Sequence, residues 1–233
     1  MFYFFIFILF FFSSNLHANR ESFSGIFRDV ARESLSAVVL IKTLVLEENQ
    51  DMTIAGDNKV ETYRKGTGFL ISDDGYILTN THLVKNAQNI FVVYAGVEEL
   101  ASLVRFDERS DVAILRMEGE GFSYLRLGDS DKTEIGDWVA TAGYPFLIDP
   151  FLTQGIISGK NFIILQGNLR NFLFTDALIH PGNSGGPLLN LQSEVIGINT
   201  AAFLPKGAFV GYGIAIPINV AKDFISKVID SSR

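Results

Sequence analysis

The chain contains no cysteine, and this absence excludes several kinds of chemistry at once. A disulfide framework, a thiol nucleophile and a thiolate metal site all require cysteine. Basic residues are also few, with 19 Lys and Arg against 26 Asp and Glu, so the formal net charge is −7. The sequence has no clustered basic run of the kind that phosphate binding requires. We therefore expect no nucleic-acid partner.

The beginning of the sequence lacks charge of either sign. Residues 2–12 form an unbroken apolar run, which is shorter than the ~20 apolar residues of a membrane-spanning helix. We interpret residues 1–18 as a signal peptide that is cleaved after Ala18. An uncleaved anchor is the alternative, because no Lys or Arg precedes the run and Leu16 is large for its position. An exported chain without disulfides favours the bacterial periplasm, with secretion or membrane anchoring as the alternatives.

Helical periodicity is scarce in the rest of the chain. Apolar residues at helical spacing occur near the two ends only, over residues 23–30 and 221–228. Between them lie short runs rich in Val, Ile, Phe and Tyr, separated by Gly, Asp and Asn, which predict an all-β fold, either a β-sandwich or β-barrels. The runs form two sets of roughly equal size, which favours two barrels. The predicted organisation is a helical segment over residues 19–36, a first barrel over 37–128, and a second barrel with a C-terminal helix over 129–233.

Two polar stretches interrupt the strand pattern. Residues 47–65 lack periodicity, and residues 201–211 contain Pro205 and two glycines. We expect both stretches to be long loops. The short turn Asp73-Asp74-Gly75 instead predicts a hairpin between the strand-like runs on either side of it.

One serine lies within a run of glycines, Gly182-Asn183-Ser184-Gly185-Gly186. Glycine permits a tight turn that exposes the hydroxyl and lets a substrate approach the backbone closely. The N–H groups of such a turn can form an oxyanion hole, which contributes about 2.7–4 kcal/mol per donor in well-studied enzymes. The alternative is a glycine-rich turn that holds an ordinary serine.

A serine nucleophile needs a general base, and the chain has three histidines. His17 lies in the predicted signal peptide. His82 directly follows a strand-like run that would present it rigidly to a cleft, and we favour it as the base. His180 stands four residues before Ser184 and would have to fold back along its own loop, so we interpret it as a surface histidine.

A histidine base needs a carboxylate that orients its ring. Asp111 precedes the apolar run 112–115, which would place it at the rim of a barrel. Asp107 is the nearest competitor and is expected in a solvated loop. Asp176 leads towards the serine turn, and we expect it to brace that loop through backbone hydrogen bonds. The chain order histidine, aspartate, serine matches one of the common triad arrangements.

Three blocks of the sequence resemble the HtrA/Deg (protease Do) family of trypsin-like envelope serine proteases. They are residues 66–82, 111–115 and 175–190, which contain the candidate histidine, aspartate and serine in the family's order. The resemblance extends over residues 23–227. It implies a chymotrypsin/trypsin-like double six-stranded β-barrel with short N- and C-terminal helices and an active site in the cleft between the barrels.

The resemblance also implies a serine endopeptidase that cuts unfolded or damaged envelope proteins through an acyl-enzyme, without a metal or other cofactor. By motif position, the N–H groups of Gly182 and Ser184 would form the oxyanion hole. Family members form trimers through aromatic residues near the N-terminus, where Phe23 and Phe27 are the candidates; burial of the helix against its own barrel is the alternative. Family members usually continue into PDZ domains, whereas this sequence stops at Arg233, so we expect the protease domain only, with no PDZ domain.

The substrate pocket is predicted by position alone. In trypsin-like enzymes its base lies six residues before the serine, which is Leu178 here, so no carboxylate is available to pair with Arg or Lys. We expect a small or medium apolar residue on the acyl side of the cut, with Ile179, Thr200 and Ile214 as wall residues. Two alternatives to an active endopeptidase are a chaperone-like holdase on the same scaffold, with latent or minor proteolysis, and an exported β-protein that keeps these blocks only for packing.

Overall fold

A computed structural model describes the chain over residues 25–48, 59–146, 148–165, 168–202 and 211–229. The predicted signal peptide, Phe23 and residues 203–210 of the second predicted loop lie outside these ranges. Among the helices that the structure describes, none is long and apolar enough to span a bilayer.

Strands make up most of the described chain. The first six are β1 (Val38–Glu48), β2 (Lys59–Leu70), β3 (Tyr76–Thr79), β4 (Ala87–Tyr94), β5 (Val97–Asp107) and β6 (Val112–Met117). The next six are β7 (Trp138–Gly143), β8 (Phe151–Leu165), β9 (Asn168–Thr175), β10 (Pro187–Leu189), β11 (Val195–Ala202) and β12 (Gly213–Pro217). The helices are α1 (residues 25–34), α2 (Thr81–Val84) and α3 (Ile218–Ile229), with single 3-10 turns at Leu35–Ala37 and Ser130–Lys132.

These strands close into two antiparallel barrels. The strand order is β1-β2-β3-β6-β5-β4 in the first barrel and β10-β11-β12-β9-β8-β7 in the second. Pairing of β1 with β4 and of β10 with β7 completes each closure, and a closed barrel leaves no unpaired edge strand. The predicted all-β fold with two six-stranded barrels and helices near the two ends is confirmed.

The predicted hairpin is present, with Phe69 of β2 opposite Leu78 of β3. Gly75 in its turn has a φ of 95°, a left-handed conformation that glycine adopts without strain. The hairpin matters for function because β3 leads directly into the segment that carries the candidate base.

The prediction of a loop over residues 47–65 is wrong for its second half. The second strand begins at Lys59, and Arg64 lies opposite Thr43 of the first strand. Residues 61–65 of β2 are exposed or half-buried, and the Tyr63 residue is 56% exposed. They form no buried apolar face, although Val45 on the opposite strand is buried, and hydrophobic periodicity therefore does not reveal the start of β2. The loop predicted from residue 201 likewise begins later, because β11 continues to Ala202.

Of the two apolar clusters among the described residues, the larger extends through both barrels. Buried side chains of the first barrel, such as Ile41 and Leu78, belong to the same cluster as Phe172 and Ile198 of the second. The two barrels also share backbone hydrogen bonds, because the Thr67 N–H of the first donates to the Ser184 carbonyl of the second at 2.8 Å. This shared packing fixes the relative position of the residues that face the cleft.

Candidate active site

The candidate base His82 lies on a single helical turn that follows β3. Thr81 and Leu83 on either side of it are buried, and the Thr43 hydroxyl donates to the Leu83 carbonyl at 2.8 Å. The His82 side chain remains 47% exposed. The turn is therefore anchored by its neighbours, while the imidazole stays accessible in the cleft.

Asp111 holds this histidine at two points. Its Oδ2 lies 2.8 Å from His82 Nδ1, and its Oδ1 accepts the His82 backbone N–H at 2.9 Å. The Asp111 carbonyl accepts from the Thr81 N–H at 3.2 Å and from Asn80 Nδ2 at 3.0 Å. A carboxylate acceptor requires the proton of the neutral ring on Nδ1, which leaves Nε2 as the basic nitrogen. The backbone of Asp111 has a φ of 58°, a conformation rare for residues other than glycine.

The competing carboxylate, Asp107, is occupied by its own turn. It accepts from the N–H groups of Arg109 and Ser110, both at 3.1 Å, and from the Ser110 hydroxyl at 2.7 Å. Partial burial acts to raise the pKa of Asp107, but these hydrogen bonds and the Arg109 charge together lower it below its ordinary value. Asp107 therefore stabilises the turn that presents Asp111, and it forms no hydrogen bond with His82.

Thr200 links the candidate aspartate to the candidate serine. Its hydroxyl donates to Asp111 Oδ2 at 3.0 Å, and its carbonyl accepts from the Ser184 hydroxyl at 3.1 Å. Position in the sequence suggested only a pocket wall for this residue, because the contact with Asp111 depends on the packing of one barrel on the other. In the described part of the chain, no hydrogen bond joins Ser184 Oγ to His82. A hydrogen bond between the serine hydroxyl and the imidazole would require a rotation of the serine side chain.

The turn before the serine exposes two backbone donors. The Asn183 N–H donates to the His180 carbonyl at 2.9 Å, and Gly182 between them has a φ of 101°. This combination defines a type II turn, which requires a positive φ at that position. A side chain at Gly182 would place its Cβ 2.5 Å from the Tyr144 carbonyl oxygen. Among the described residues, no acceptor pairs with the N–H groups of Gly182 or Ser184, so both are available to an oxyanion.

The two remaining titratable candidates lie in other environments. His180 is exposed, its Nδ1 lies 3.1 Å from the Pro181 carbonyl oxygen, and its ring centroid is 6.2 Å from that of Phe146. Asp176 accepts the Ile156 N–H at 2.7 Å, a backbone hydrogen bond of the kind that the sequence led us to expect. That bond ties the loop before the serine to β8.

The predicted pocket residues differ in exposure. Ile179, Thr200 and Ile214 are buried, whereas the Leu178 side chain is 44% exposed and does not form a closed base. Ile179 fills the space beside Gly213, where an added Cβ would lie 2.5 Å from the Ile179 side chain. The Leu178 carbonyl accepts from the side chains of Thr141, Thr153 and Asn183. No charged side chain belongs to this predicted set, which suits a small apolar group.

A surface cavity of about 580 Å³ lies apart from these residues. Its lining mixes acidic, basic and apolar side chains, including Asp129, Lys132, Trp138 and Glu194. None of the candidate site residues contributes to it. The candidate site is therefore defined by its hydrogen bonds and exposed groups, and this cavity is not part of it.

Comparisons with known proteins indicate the same class of protein as the geometry does, a serine peptidase. The sequence model of the trypsin-like peptidase domain matches residues 66–198, more than half of the chain. A probable periplasmic serine endoprotease DegP-like of Pseudomonas putida is 46% identical over 174 residues, which is 74% of this chain and 36% of the relative. The protein of the same description from Hahella chejuensis is 44% identical over 172 residues, 73% of this chain and 37% of the relative. The chain thus spans little more than a third of the length of these curated relatives.

Solved structures share the fold over most of the chain. The HtrA-type protease AlgW with tripeptide superposes with a TM-score of 0.76 at 32% identity, covering 89% of this chain and 64% of that one. The same protease with decapeptide gives a TM-score of 0.75 at 30% identity, covering 88% of this chain and 67% of that one.

Proposed function

Because the chain belongs to the trypsin-like peptidase family, we propose that it is a serine endopeptidase acting on unfolded or damaged envelope proteins. The observation that carries this proposal is the 2.8 Å contact between His82 Nδ1 and Asp111 in the same cleft as Ser184. Ser184 lies on a glycine turn with two available N–H groups, so the candidates for base, orienting carboxylate, nucleophile and oxyanion donors lie close together, which supports the proposal.

In the proposed reaction, Ser184 attacks the scissile carbonyl while His82 Nε2 takes its proton. Asp111 keeps the other ring nitrogen protonated and stabilises the imidazolium that forms. The N–H groups of Gly182 and Ser184 stabilise the oxyanion of the tetrahedral intermediate. The histidine then returns its proton to the leaving amine, and water cleaves the acyl-enzyme. No step in this sequence requires a metal or other cofactor.

For specificity, we propose that a small or medium apolar residue precedes the cut. Ile179 in the loop before the serine and Ile214 on β12 are buried, and the Ile179 side chain already occupies the space next to Gly213. A long side chain would have to displace it. Leu178, six residues before the serine, supplies no negative charge for Arg or Lys.

We propose a periplasmic location and a trimeric assembly. The location is supported by the name of the curated relatives, which are described as periplasmic, and by the apolar run at residues 2–12. The assembly would use Phe23 and Phe27. Phe27 is half-buried with its ring centroid 5.9 Å from that of Trp138, which is itself 40% exposed, so the two rings form one aromatic patch at the surface.

A holdase with latent proteolysis is the second candidate, and one observation favours it. The Ser184 hydroxyl donates to the Thr200 carbonyl, so the resting serine is not hydrogen-bonded to its base. Binding of an unfolded client would not require that bond, whereas catalysis would.

Degradation of unfolded casein by the mature chain (residues 19–233) tests the peptidase. We expect the unaltered protein to cleave casein and Ser184→Ala to reduce the rate by at least about 10³-fold, since removal of a serine nucleophile costs more than that in related enzymes. Ser123→Ala, at an exposed serine outside the site, is the matched control and should cleave normally. No cleavage by the unaltered protein across temperature and pH would contradict the proposal. Equal suppression of client aggregation by all three proteins in that case would favour the holdase.

A further inference from the structure

Thr67 lies on β2 of the first barrel, but its hydroxyl interacts with the second. The residue is completely buried. Its Oγ1 donates to the Gly182 carbonyl at 2.6 Å and accepts the Tyr144 N–H at 3.0 Å. Gly182 belongs to the turn of residues 180–184 that carries the two candidate oxyanion donors, here called the oxyanion turn. Tyr144 directly follows β7. A single hydroxyl therefore joins one barrel to two segments of the other.

The backbone of Thr67 adds a second contact with the same turn. Its N–H donates to the Ser184 carbonyl at 2.8 Å. Its own carbonyl accepts the Thr79 hydroxyl at 2.7 Å, which anchors Thr67 to the strand that leads to the candidate histidine. Thr67 thus holds the carbonyl oxygens of both residues whose N–H groups would form the oxyanion hole.

These contacts fix the peptide planes around the two donors. The peptide between Gly182 and Asn183 is held at both ends, because its carbonyl accepts from Thr67 and its N–H donates to the His180 carbonyl. The peptides that carry the Gly182 and Ser184 N–H groups lie on either side of it. The Ser184 carbonyl is also held by Thr67, so the peptide that carries the Ser184 N–H lies between two peptides of fixed orientation. The peptide that carries the Gly182 N–H adjoins the fixed Gly182–Asn183 peptide on one side and the His180 carbonyl, which accepts the Asn183 N–H, on the other.

The Thr67 hydroxyl occupies a space that suits a hydrogen-bonding group better than a methyl. Valine has the same branched shape as threonine, but a methyl in place of Oγ1 would lie 2.6 Å from the Gly182 carbonyl oxygen and 3.0 Å from the Tyr144 nitrogen. Valine would therefore remove both hydrogen bonds, leave the buried Tyr144 N–H without its acceptor and push the Gly182 carbonyl away from Thr67.

We propose that the Thr67 hydroxyl positions the oxyanion turn of the second barrel relative to His82 of the first. Thr67 is a positioning residue, because it touches no reacting atom and acts through the N–H groups of Gly182 and Ser184. The inference rests on the proposed peptidase function. Loss of one oxyanion donor lowers kcat by about 10²–10³-fold in well-studied enzymes. Misalignment of the donor pair should cost less, on the order of 10- to 100-fold.

The test compares Thr67→Val with Thr67→Ser on a fluorogenic peptide that has an apolar residue before the scissile bond. We expect Thr67→Val to lower kcat by about 10- to 100-fold with KM changed less than about threefold, because the donors act in the transition state. Thr67→Ser keeps the hydroxyl and should retain kcat within about threefold. The affinity for a peptide boronic acid, whose tetrahedral serine adduct places an oxygen in the oxyanion hole, should fall in parallel with kcat.

Stability is separated from positioning by a control and a second pair of variants. Ser34→Ala removes another fully buried hydroxyl, one that donates to the Val30 carbonyl away from the cleft. It should lower the melting temperature and leave kcat unchanged. If Thr67→Val does not fold, the pair Thr67→Ala and Thr67→Ser makes the same comparison at smaller volume.

Each outcome has a distinct meaning. A kcat for Thr67→Val within about twofold of the unaltered protein would overturn the inference alone. Equal loss of kcat in Thr67→Ser and Thr67→Val would also overturn it, because retention of the hydroxyl in Thr67→Ser would then give no advantage. No turnover by the unaltered protein would overturn the proposed peptidase function, and the inference with it.

Discussion

At the scale of single residues, the function of each carboxylate depends on which hydrogen bonds its oxygens already accept. Asp107 and Asp111 lie in the same turn, and both carboxylates were candidates to orient the histidine. The oxygens of Asp107 accept from Arg109 and Ser110, whereas those of Asp111 accept from His82 and Thr200. The sequence ranked Asp111 first by its place before a strand, and the hydrogen bonds give the physical reason.

Asp111→Asn is the sharpest test of this assignment. An amide at this position would present a donor to His82 or force the ring into the other tautomer, so Nε2 would carry the proton and lose its function as a base. We expect kcat to fall by about 10⁴-fold, as for the corresponding change in a serine protease of known mechanism. Steady-state kinetics on the fluorogenic peptide measures the effect.

The control for this change is Asp131→Asn, at an exposed aspartate outside the cleft. It removes the same charge and should leave kcat unchanged. A kcat for Asp111→Asn within tenfold of the unaltered protein would mean that another group orients His82. Asp107→Asn would then be the next variant to measure.

At the scale of elements, the loop that carries Ser184 (residues 176–186, the serine loop) is positioned by its close approach to β8. Asp176 accepts the Ile156 N–H, and an added Cβ at Gly155 would lie 2.2 Å from the Ala177 backbone nitrogen. Gly159 further along the same strand has ordinary space, with the nearest atom 3.6 Å from an added Cβ. One glycine of this strand is therefore required by packing against the loop, and the other is not.

Gly155→Ala and Gly159→Ala form a matched pair on this strand. Gly155→Ala forces the backbone of the loop to shift, and we expect a loss of about 1–3 kcal/mol in the free energy of unfolding. Because the same loop leads to Ser184, kcat should fall as well. Thermal unfolding and peptide kinetics measure both effects. Gly159→Ala should change neither by much, and an equal effect of the two substitutions would show that the contact with Ala177 is not the cause.

At the scale of the whole molecule, the larger apolar cluster joins the two barrels, and Phe27 is half-buried against it. Phe27 also contacts Trp138, which is 40% exposed, so part of this aromatic pair is available for contact between subunits. The assembly that we propose is a trimer.

Light scattering of a protein that comprises residues 19–233 tests this assembly. We expect three times the mass of the chain for the unaltered protein, and one chain mass for Phe27→Ser, because the substitution removes apolar area from the contact. Leu100→Ser, at a leucine that is 60% exposed on β5, should remain trimeric. A monomeric unaltered protein, or a trimeric Phe27→Ser variant, would favour burial of the helix against its own barrel instead.

By itself, the sequence determined the fold class, the hairpin that leads to His82 and the order of the candidate residues. These features follow from local rules, namely short β-branched runs, glycine turns and the place of a polar residue at the end of a strand. The start of β2 escaped these rules because residues 61–65 form no buried apolar face of their own.

Only the tertiary structure determined which side chains of one barrel contact the other. The contact of Thr200 with Asp111, and that of Thr67 with the oxyanion turn, join residues far apart in sequence. Such contacts have no periodicity or spacing that a sequence could reveal, because they depend on the angle at which one closed barrel packs on the other. The sequence identified the candidate nucleophile and base, and the packing of the barrels determined which hydrogen bonds hold them.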